Sequence, residues 1–248
     1  MTDYSKKIVL ITGGTRGLGR AMALAFARAG ASIVASYHHG SDAAANLTTE
    51  LKALGTEHLL VQSDASQAGD ITDLFDRTLA TFGRVDVVIA NAGVEVVGPS
   101  LLEHSADDID KVLDLNLRGT IHVLRRAAKE VPAGGRIIVV GSTIADYAPP
   151  GATVYSASKA ALRPLVLSLA RELGPRGVTV NLLAPGLVEG AGITATLPAQ
   201  EIERFAALNP MGRSARPDDV APLAVFLTSD EAAFINGGEF VVDGAAMG

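Results

Sequence analysis

The sequence predicts an α/β fold in which a doubly wound parallel sheet of about seven strands carries helices on both faces. Short, unbroken apolar runs alternate along the 248 residues with longer segments whose apolar residues recur at helical spacing. Strands that are covered on both faces read as continuous apolar runs, because neither face meets water. A glycine-rich turn follows the first run directly. The length suits one large domain, so we expect residues 1–248 to form a single unit.

The elements follow from these patterns in order. The strands are predicted at Lys7–Thr12, Ser32–Ser36, His58–Gln62, Val85–Ala90, Arg136–Val140, Val178–Leu183 and Glu239–Val242. The helices are predicted at Gly17–Gly30, Asp42–Leu54, Gly69–Phe82, Ala106–Glu130, Thr153–Leu173 and Pro217–Thr228. Pro164 and Pro222 fall inside two of these helices, where each removes one hydrogen bond. We expect local bends rather than breaks, because both helices have long apolar faces.

Composition excludes several classes of protein. The chain has no Cys, which rules out disulfides, zinc thiolates and cysteine nucleophiles. The net charge is -6 with acids and bases mixed along the chain, which argues against nucleic-acid binding. No apolar run approaches the roughly 18 residues of a membrane span, and MTDYSKK leads into a strand without a signal-peptide pattern. We therefore expect a cytoplasmic protein that binds neither membrane nor nucleic acid.

The first strand-to-helix turn is the segment TGGTRGLG, from Thr12 to Gly19. Its glycines allow positive φ angles and let backbone N–H groups approach an anion closely. The helix that follows directs its positive N-terminus at the same anion. A glycine-rich turn can also be purely structural, but its place after the first strand indicates a dinucleotide phosphate site and a Rossmann fold.

The end of the second strand bears on which dinucleotide binds. A carboxylate there would bond the ribose 2′-hydroxyl of NAD and repel the 2′-phosphate of NADP. Here the strand ends in Ser36, Tyr37, His38 and His39, with no acid, and Arg16 in the glycine turn suits a phosphate. These features favour NADP(H), and NAD(H) stays open. Two adjacent histidines without further ligands do not make a metal site, so no metal is expected.

Tyr155 and Lys159 lie four residues apart in YSASK, and Ser142 lies thirteen residues before Tyr155. Four residues is about one helical turn, so the phenol and the ammonium would share one helix face. A tyrosine has a reference pKa of roughly 10, and a neighbouring cation favours its phenolate. The pair therefore suits acid/base catalysis, with Ser142 as a donor to a substrate oxygen. The same spacing also recurs by chance on helix surfaces, so the pattern needs support from the rest of the chain.

The chain resembles the short-chain dehydrogenase/reductase family over nearly its whole length, including its 3-oxoacyl-[acyl-carrier-protein] reductase-like members. The matching pieces, in order, are TGGTRGLG, Asp64 after the third strand, Asn91-Ala92-Gly93 after the fourth, Asn116 in DLNLRG, Ser142, YSASK and NLLAPG from Asn181 to Gly186. No piece is decisive alone, but together in this order they are specific. The resemblance implies one NAD(P)-binding Rossmann-fold domain, with a substrate-binding loop region at about residues 187–208.

The resemblance also implies a role for each catalytic position. Tyr155 would be the acid/base, and Lys159 would hold the nicotinamide ribose and lower the pKa of Tyr155. Ser142 would orient the substrate carbonyl, and Asn116 would anchor a water that links Lys159 to solvent. The nicotinamide would exchange a hydride with the substrate carbon, because that chemistry belongs to the cofactor.

The cofactor would lie along the glycine turn and the ends of the strands. Asp64 would contact the adenine, Asn91 to Gly93 would line the adenosine side, and Pro185 with Gly186 would place backbone beside the nicotinamide. The cofactor-binding residues expected in full are Gly13, Thr15, Arg16, Gly17, Leu18, Gly19, Ser36, Tyr37, His38, Asp64, Ala65, Asn91, Ala92, Gly93, Tyr155, Lys159, Pro185, Gly186 and Val188. Where family members often carry Thr, four residues after Gly186, this chain has Gly190; Thr194 or the backbone could take its place.

Three functions stay open. A reductase or dehydrogenase of small ketones and alcohols leads, because the segments around 94–99, 144–153 and 187–208 are rich in apolar residues and indicate an apolar pocket. A 3-oxoacyl-[acyl-carrier-protein] reductase is the alternative, for which Arg125, Arg126, Arg136 and Arg176 could form a basic patch facing the acidic carrier. A catalytically inactive dinucleotide-binding regulator is the third, since fold does not fix function.

The resemblance further implies a homo-oligomer, most simply a homotetramer. Relatives pair the two long helices beside the cleft across a two-fold axis, and here these are the helices of Asn116 and Tyr155. Leu124, Leu165 and Leu169 are expected on their outward faces, where apolar area would otherwise be exposed.

Overall fold

A parallel sheet of seven strands organises the described part of the chain, residues 3–195 and 197–246 of a computed structural model, with the backbone alone at residue 193. The strand order is β3-β2-β1-β4-β5-β6-β7, and every pairing is parallel. The strands are β1 (Ile8–Ile11), β2 (Ser32–Tyr37), β3 (His58–Gln62), β4 (Val87–Ala90), β5 (Arg136–Val140), β6 (Thr179–Pro185) and β7 (Glu239–Val242). The doubly wound α/β fold expected from the sequence is confirmed.

The helices cover both faces of this sheet. They are α1 (Gly17–Arg28), α2 (Ser41–Ala53), α3 (Ala68–Phe82), α4 (Ala106–Leu113), α5 (Thr120–Glu130), α6 (Ile144–Tyr147), α7 (Thr153–Ala160), α8 (Leu162–Leu173), α9 (Ala199–Leu208) and α10 (Pro217–Leu227). One core forms where α1, α2 and α10 bury residues such as Phe26 against β1 and β2. The other forms where α3, α5 and α8 bury residues such as Phe75 against the opposite face.

The strands are paired so that their carboxyl ends share one edge of the sheet. From β1 the chain adds β2 and β3 on one side of the sheet. It then returns to add β4, β5, β6 and β7 on the other side, so the direction of winding reverses between β1 and β4. Ligands in open α/β sheets bind in the crevice at this switch point. We therefore expect a ligand to bind at the turns after β1, β4 and β5.

The predicted helix Ala106–Glu130 is not one regular helix. Its middle, Asp114–Gly119, is a π-helix that separates α4 from α5. Gly119 packs closely here, because a Cβ at this position would come 2.4 Å from the Ala65 carbonyl oxygen. Single-turn π segments inside α-helices often mark functional sites, and this one carries Asn116.

Other boundaries also differ from the expectation. The helix predicted at Thr153–Leu173 is interrupted at Ala161, three residues before Pro164, whereas Pro222 leaves α10 unbroken. The expected loop region 187–208 contains a short 3-10 segment, Gly192–Ala195, and the helix α9; residue 196 lies outside the described residues. In the described ranges, no helix has the length and apolar character to cross a membrane.

Candidate active site

The glycine turn after β1 packs tightly against its neighbours. Gly13 has a φ of 63°, in the left-handed region that favours glycine. A Cβ on Gly19 would come 2.2 Å from the Gly13 carbonyl oxygen, so the first turn of α1 lies directly on the loop. Thr15 and Leu18 are buried in this turn.

The N-terminus of α1 has the features of an anion site. Arg16 is the N-cap residue, its side chain makes no capping hydrogen bond, and the first turn holds no acid. Backbone N–H groups at such an end need partners from outside the helix. A cavity of about 420 Å³ opens beside this end, between Gly17 and Gly190. The residues present therefore fit the pyrophosphate of a dinucleotide.

The end of β2 carries no carboxylate, as the sequence indicates. Ser36 is buried, and its hydroxyl accepts a 3.4 Å hydrogen bond from the Gly13 N–H. His38 stacks on His39 with ring centroids 3.8 Å apart, and its Nε2 lies 3.8 Å from a carboxylate oxygen of Asp64. Around these two histidines and across the described residues, no group of three potential ligands is arranged for a metal.

The loop after β4 is bonded to the glycine turn. The Asn91 Nδ2 donates to the carbonyl oxygens of Thr12, at 2.9 Å, and of Gly13, at 3.1 Å. In return, the Thr12 hydroxyl accepts from the N–H groups of Asn91 and Ala92. These bonds join the two sides of the switch point into one rigid base.

Asn116, on the π-helix, holds the next residues of that loop. It is fully buried, its Oδ1 accepts from the Val94 N–H at 2.8 Å, and its Nδ2 donates to the Val94 carbonyl at 2.9 Å. The same Nδ2 lies 3.1 Å from the Ser158 hydroxyl oxygen on α7. Asn116 thereby fixes the β4 loop relative to the helix that carries YSASK.

The side chains of Ser142, Tyr155 and Lys159 converge beside this loop. The Ser142 hydroxyl lies near enough to Tyr155 to lower the pKa of the phenol, an effect smaller than that of burial. The Lys159 Nζ lies 5.9 Å from the centroid of the Tyr155 ring and donates to the Val140 carbonyl oxygen at 3.0 Å. Tyr155 and Lys159 are buried, with 6% and 5% of their surface exposed.

One acidic residue in this cluster is absent from the sequence-based set. The Tyr155 hydroxyl donates a 3.1 Å hydrogen bond to the Oε1 of Glu95, the residue after Val94. The carboxylate also lies against Gly192, where an ideal Cβ would come 2.4 Å from Oε1. In the sequence, Glu95 is marked only by its place two residues after the Asn-Ala-Gly segment, within residues 94–99, which were interpreted as apolar from their composition.

Burial and the Glu95 carboxylate shift the pKa values of both Tyr155 and Lys159. Burial, and then the Glu95 carboxylate, raise the pKa of Tyr155 well above its usual value. Burial lowers the pKa of Lys159 to about 8, and Glu95 opposes that change. The sequence predicts that Lys159 lowers the pKa of Tyr155, whereas burial and Glu95 raise it in the structure.

The structure brings the sequence-predicted residues to one edge of the sheet. Pro185 ends β6 and accepts a hydrogen bond from the Thr143 N–H; Gly186 follows it, and Val188 is buried just beyond. Ala65 is buried after β3. Thr194 is buried too, but its hydroxyl bonds to the Val188 carbonyl and the Ala191 N–H within its own loop.

Comparison with known proteins gives a consistent family pattern. A family model described as enoyl-(acyl carrier protein) reductase matches residues 13–245. A probable tetrahydroxynaphthalene reductase of Zymoseptoria tritici is 35% identical, covering 97% of this chain and 94% of that one. A cyclic-di-GMP-binding biofilm dispersal mediator protein of Escherichia coli is 34% identical, covering 99% of each. A short chain dehydrogenase from Burkholderia cenocepacia, solved in complex with NADP, has a TM-score of 0.92 at 34% identity, covering 99% of each chain.

Proposed function

Because the chain belongs to the short-chain dehydrogenase/reductase family of oxidoreductases, we propose that it transfers a hydride between NADP(H) and a small ketone or secondary alcohol. The observation that carries the proposal is the convergence of Ser142, Tyr155 and Lys159 beside the loop after β4, which is itself bonded to the glycine turn. The Burkholderia relative binds NADP, and the end of β2 in this chain is free of acids.

In the proposed reduction, the bound nicotinamide supplies the hydride. The hydroxyls of Ser142 and Tyr155 hold the carbonyl oxygen and polarise it, and Tyr155 then donates its proton to that oxygen. The raised pKa of Tyr155 keeps this proton in place at neutral pH. The Lys159 ammonium would hold the ribose, and Asn116 would fix the loop around both groups, with a water leading to solvent.

A carbonyl panel assayed with NADPH and NADH in parallel tests this proposal. We expect oxidation of NADPH, followed at its absorbance band, with at least one aliphatic or aryl ketone. The reverse reaction with the matching alcohol should regenerate the reduced cofactor. Binding of NADPH without turnover on any member of a broad panel would contradict the proposal.

Arg16 provides the test of cofactor choice. Arg16 is exposed at the N-cap of α1, and the glycine turn that carries it is bonded to Ser36 of β2 through Gly13 and Gly14. Arg16→Ala should weaken NADPH binding by about 1.5–3 kcal/mol, the value of one charged hydrogen bond, and leave NADH binding nearly unchanged. Calorimetric titration of both cofactors measures the difference. NADH binding more tightly than NADPH in the wild type would overturn the NADP assignment.

A 3-oxoacyl-[acyl-carrier-protein] reductase is the second candidate; the description of the family model names the same carrier protein, although with an enoyl substrate. The expected arginine patch does not form as predicted. Arg136 is buried among backbone carbonyls, Arg176 bonds to the carbonyls of Ala128 and Val131, and Arg126 pairs with Asp76. Arg125 and Arg176 are the exposed residues of the four, and the Arg176 guanidinium is bonded to backbone carbonyls. Equal rates on carrier-bound and free 3-oxoacyl thioesters would count against a carrier partner.

The regulator alternative is motivated by the cyclic-di-GMP-binding relative of Escherichia coli. The presence of Asn116, Ser142, Tyr155 and Lys159 in one cluster supports an enzyme instead. Tight binding of cyclic-di-GMP, measured by calorimetry, with no turnover on the carbonyl panel would favour the regulator. A cytoplasmic location remains part of the proposal.

We propose a homotetramer, with a corrected set of contact residues. Leu124 is buried in the core. Leu165 and Leu169 are partly buried and pack against that core, so these three residues do not form an exposed face. Among the exposed large apolar residues, four lie on the long helices and the edge strand and are the proposed contacts: Ile121 on α5, Leu167 on α8, Phe226 on α10 and Val241 on β7, each 40% to 53% exposed. We expect light scattering to give four times the 25.5 kDa chain mass at micromolar concentration. A monomer mass would refute the assembly.

A further inference from the structure

The Glu95 carboxylate occupies the place beside the Tyr155 hydroxyl that a substrate has to share. Its Oε1 accepts the phenol's hydrogen bond at 3.1 Å, and Ser142 approaches the same hydroxyl. Because the phenol has a single O–H, a carbonyl oxygen that accepts from Tyr155 replaces Glu95 as its acceptor and comes to lie next to the carboxylate oxygen. Two acceptors at this separation repel unless a donor lies between them or beside them.

The position of Glu95 is built by the fold. Asn116 bonds both the N–H and the carbonyl of the preceding residue, Val94, and so fixes the backbone from which the Glu95 side chain extends. On the other side, the carboxylate lies against Gly192, whose φ of 55° and missing Cβ leave the space that it fills. A carboxylate held from two sides is placed to select among substrates, because it cannot simply turn away.

The surrounding segments are rich in apolar residues. The segments 94–99, 144–153 and 187–208 consist mostly of Val, Ile, Leu, Ala and Pro. A charged acceptor beside the reacting carbonyl discriminates among substrates, because a hydrogen bond to a charged group contributes more than one between neutral groups.

We infer that Glu95 is a specificity-determining residue, and that the preferred substrates carry a hydrogen-bond donor, a hydroxyl or a protonated amine, on the carbon next to the carbonyl. A donor at that carbon reaches the Glu95 carboxylate while the carbonyl oxygen stays on Ser142 and Tyr155. This inference rests on the proposed reductase function and names its substrate class. The carbonyl carbon gains a hydride from the reduced nicotinamide, the oxygen gains the Tyr155 proton, and the product is a vicinal diol or amino alcohol.

The test compares three aryl ketones that differ only at the adjacent carbon: acetophenone, 2-hydroxyacetophenone and 2-aminoacetophenone. Each is assayed with NADPH on the wild type, Glu95→Gln and Glu95→Ala. Glu57→Gln is the matched control, because Glu57 is exposed and precedes β3, at the opposite edge of the sheet. Thermal unfolding of each variant checks that its fold is intact.

We expect the wild type to prefer both donor-bearing ketones by about 10- to 100-fold in kcat/KM, the value of a charged hydrogen bond. Glu95→Ala should remove both preferences. Glu95→Gln should lose the preference for the amine, because the charge is gone, and keep part of that for the hydroxyl. Glu57→Gln should keep the wild-type ratios. Equal kcat/KM values in the wild type, or ratios unchanged in both Glu95 variants, would overturn the inference.

A binding measurement keeps this test separate from that of the reductase function. Calorimetry with NADPH present, with which an alcohol cannot react, should show that 1-phenyl-1,2-ethanediol binds the wild type more tightly than 1-phenylethanol does, and that Glu95→Ala binds the two alike. If the wild type reduces acetophenone but shows neither preference, the inference about Glu95 fails and the reductase proposal stands. If it reduces none of the ketones, both fail.

Discussion

Tyr155→Phe should lower kcat/KM for ketone reduction by about 10²–10⁴-fold and leave NADPH binding nearly unchanged. The substitution removes only the hydroxyl, so the ring continues to fill its buried place on α7. Without the hydroxyl, the substrate oxygen loses its proton donor, and Glu95 loses the hydrogen bond that it accepts. Steady-state kinetics and cofactor titration on the same preparation measure the two effects separately.

Lys159→Ala supplies the contrast that tests the assigned roles. Its ammonium is buried and bonded to the Val140 carbonyl, beside the Tyr155 ring, so its loss should impair both cofactor binding and turnover. Near-native rates for Tyr155→Phe together with inactive Ser142→Ala would show that Tyr155 is not the acid. The mechanism would then have to be assigned around Ser142.

Asn116→Ala should lower the free energy of unfolding by about 2–4 kcal/mol, because two backbone groups of Val94 lose their partners in a buried place. The loop after β4 would no longer be fixed, so turnover should fall as well. Chemical denaturation with urea, followed by far-UV circular dichroism, gives the stability change.

Asn46→Ala is the matched control for that experiment. Asn46 is exposed on α2, where a surface substitution usually changes stability by less than about 0.5 kcal/mol. If Asn116→Ala were no more destabilising than Asn46→Ala, the Val94 contacts would carry no stability. The positioning role of Asn116 would then be excluded.

The fold was predictable because the apolar pattern alone sets it. All seven strands lie where the apolar runs are, and the terminal differences, such as β4 starting at Val87 rather than Val85, span at most two residues. The π-helix was not predictable, because DLNLRG has the composition of an ordinary helical segment and its wide turn depends on contacts with Ala65 and Val94. Leu124 was assigned to the outward face, but it is buried in the core. The helix that carries it has apolar residues on two sides, so the spacing of those residues does not show which side faces the core.

The candidate site was predictable where motif and position act together, as in YSASK and the glycine turn. The role of Glu95 was not predictable, because an acidic residue after a strand is equally typical of a solvated loop. Only the three-dimensional structure, in which Asn116 fixes the preceding residue and Gly192 closes the other side, brings its carboxylate to Tyr155. The sequence likewise predicts a lowered pKa for Tyr155, whereas burial and Glu95 raise it in the structure.

The π-helix has an evolutionary consequence. A π segment amounts to one extra residue in an otherwise α-helical run, so deleting one residue within 114–119 would leave an ordinary helix from α4 into α5. The apolar residues of both helices would still face the core, and the Rossmann sheet would be untouched. Asn116, however, would lose its hydrogen bonds to the backbone of Val94. A single codon deletion could therefore separate the nucleotide-binding fold from its chemistry, and we expect descendants of such a step to be folded proteins that have kept the cofactor and lost the reaction.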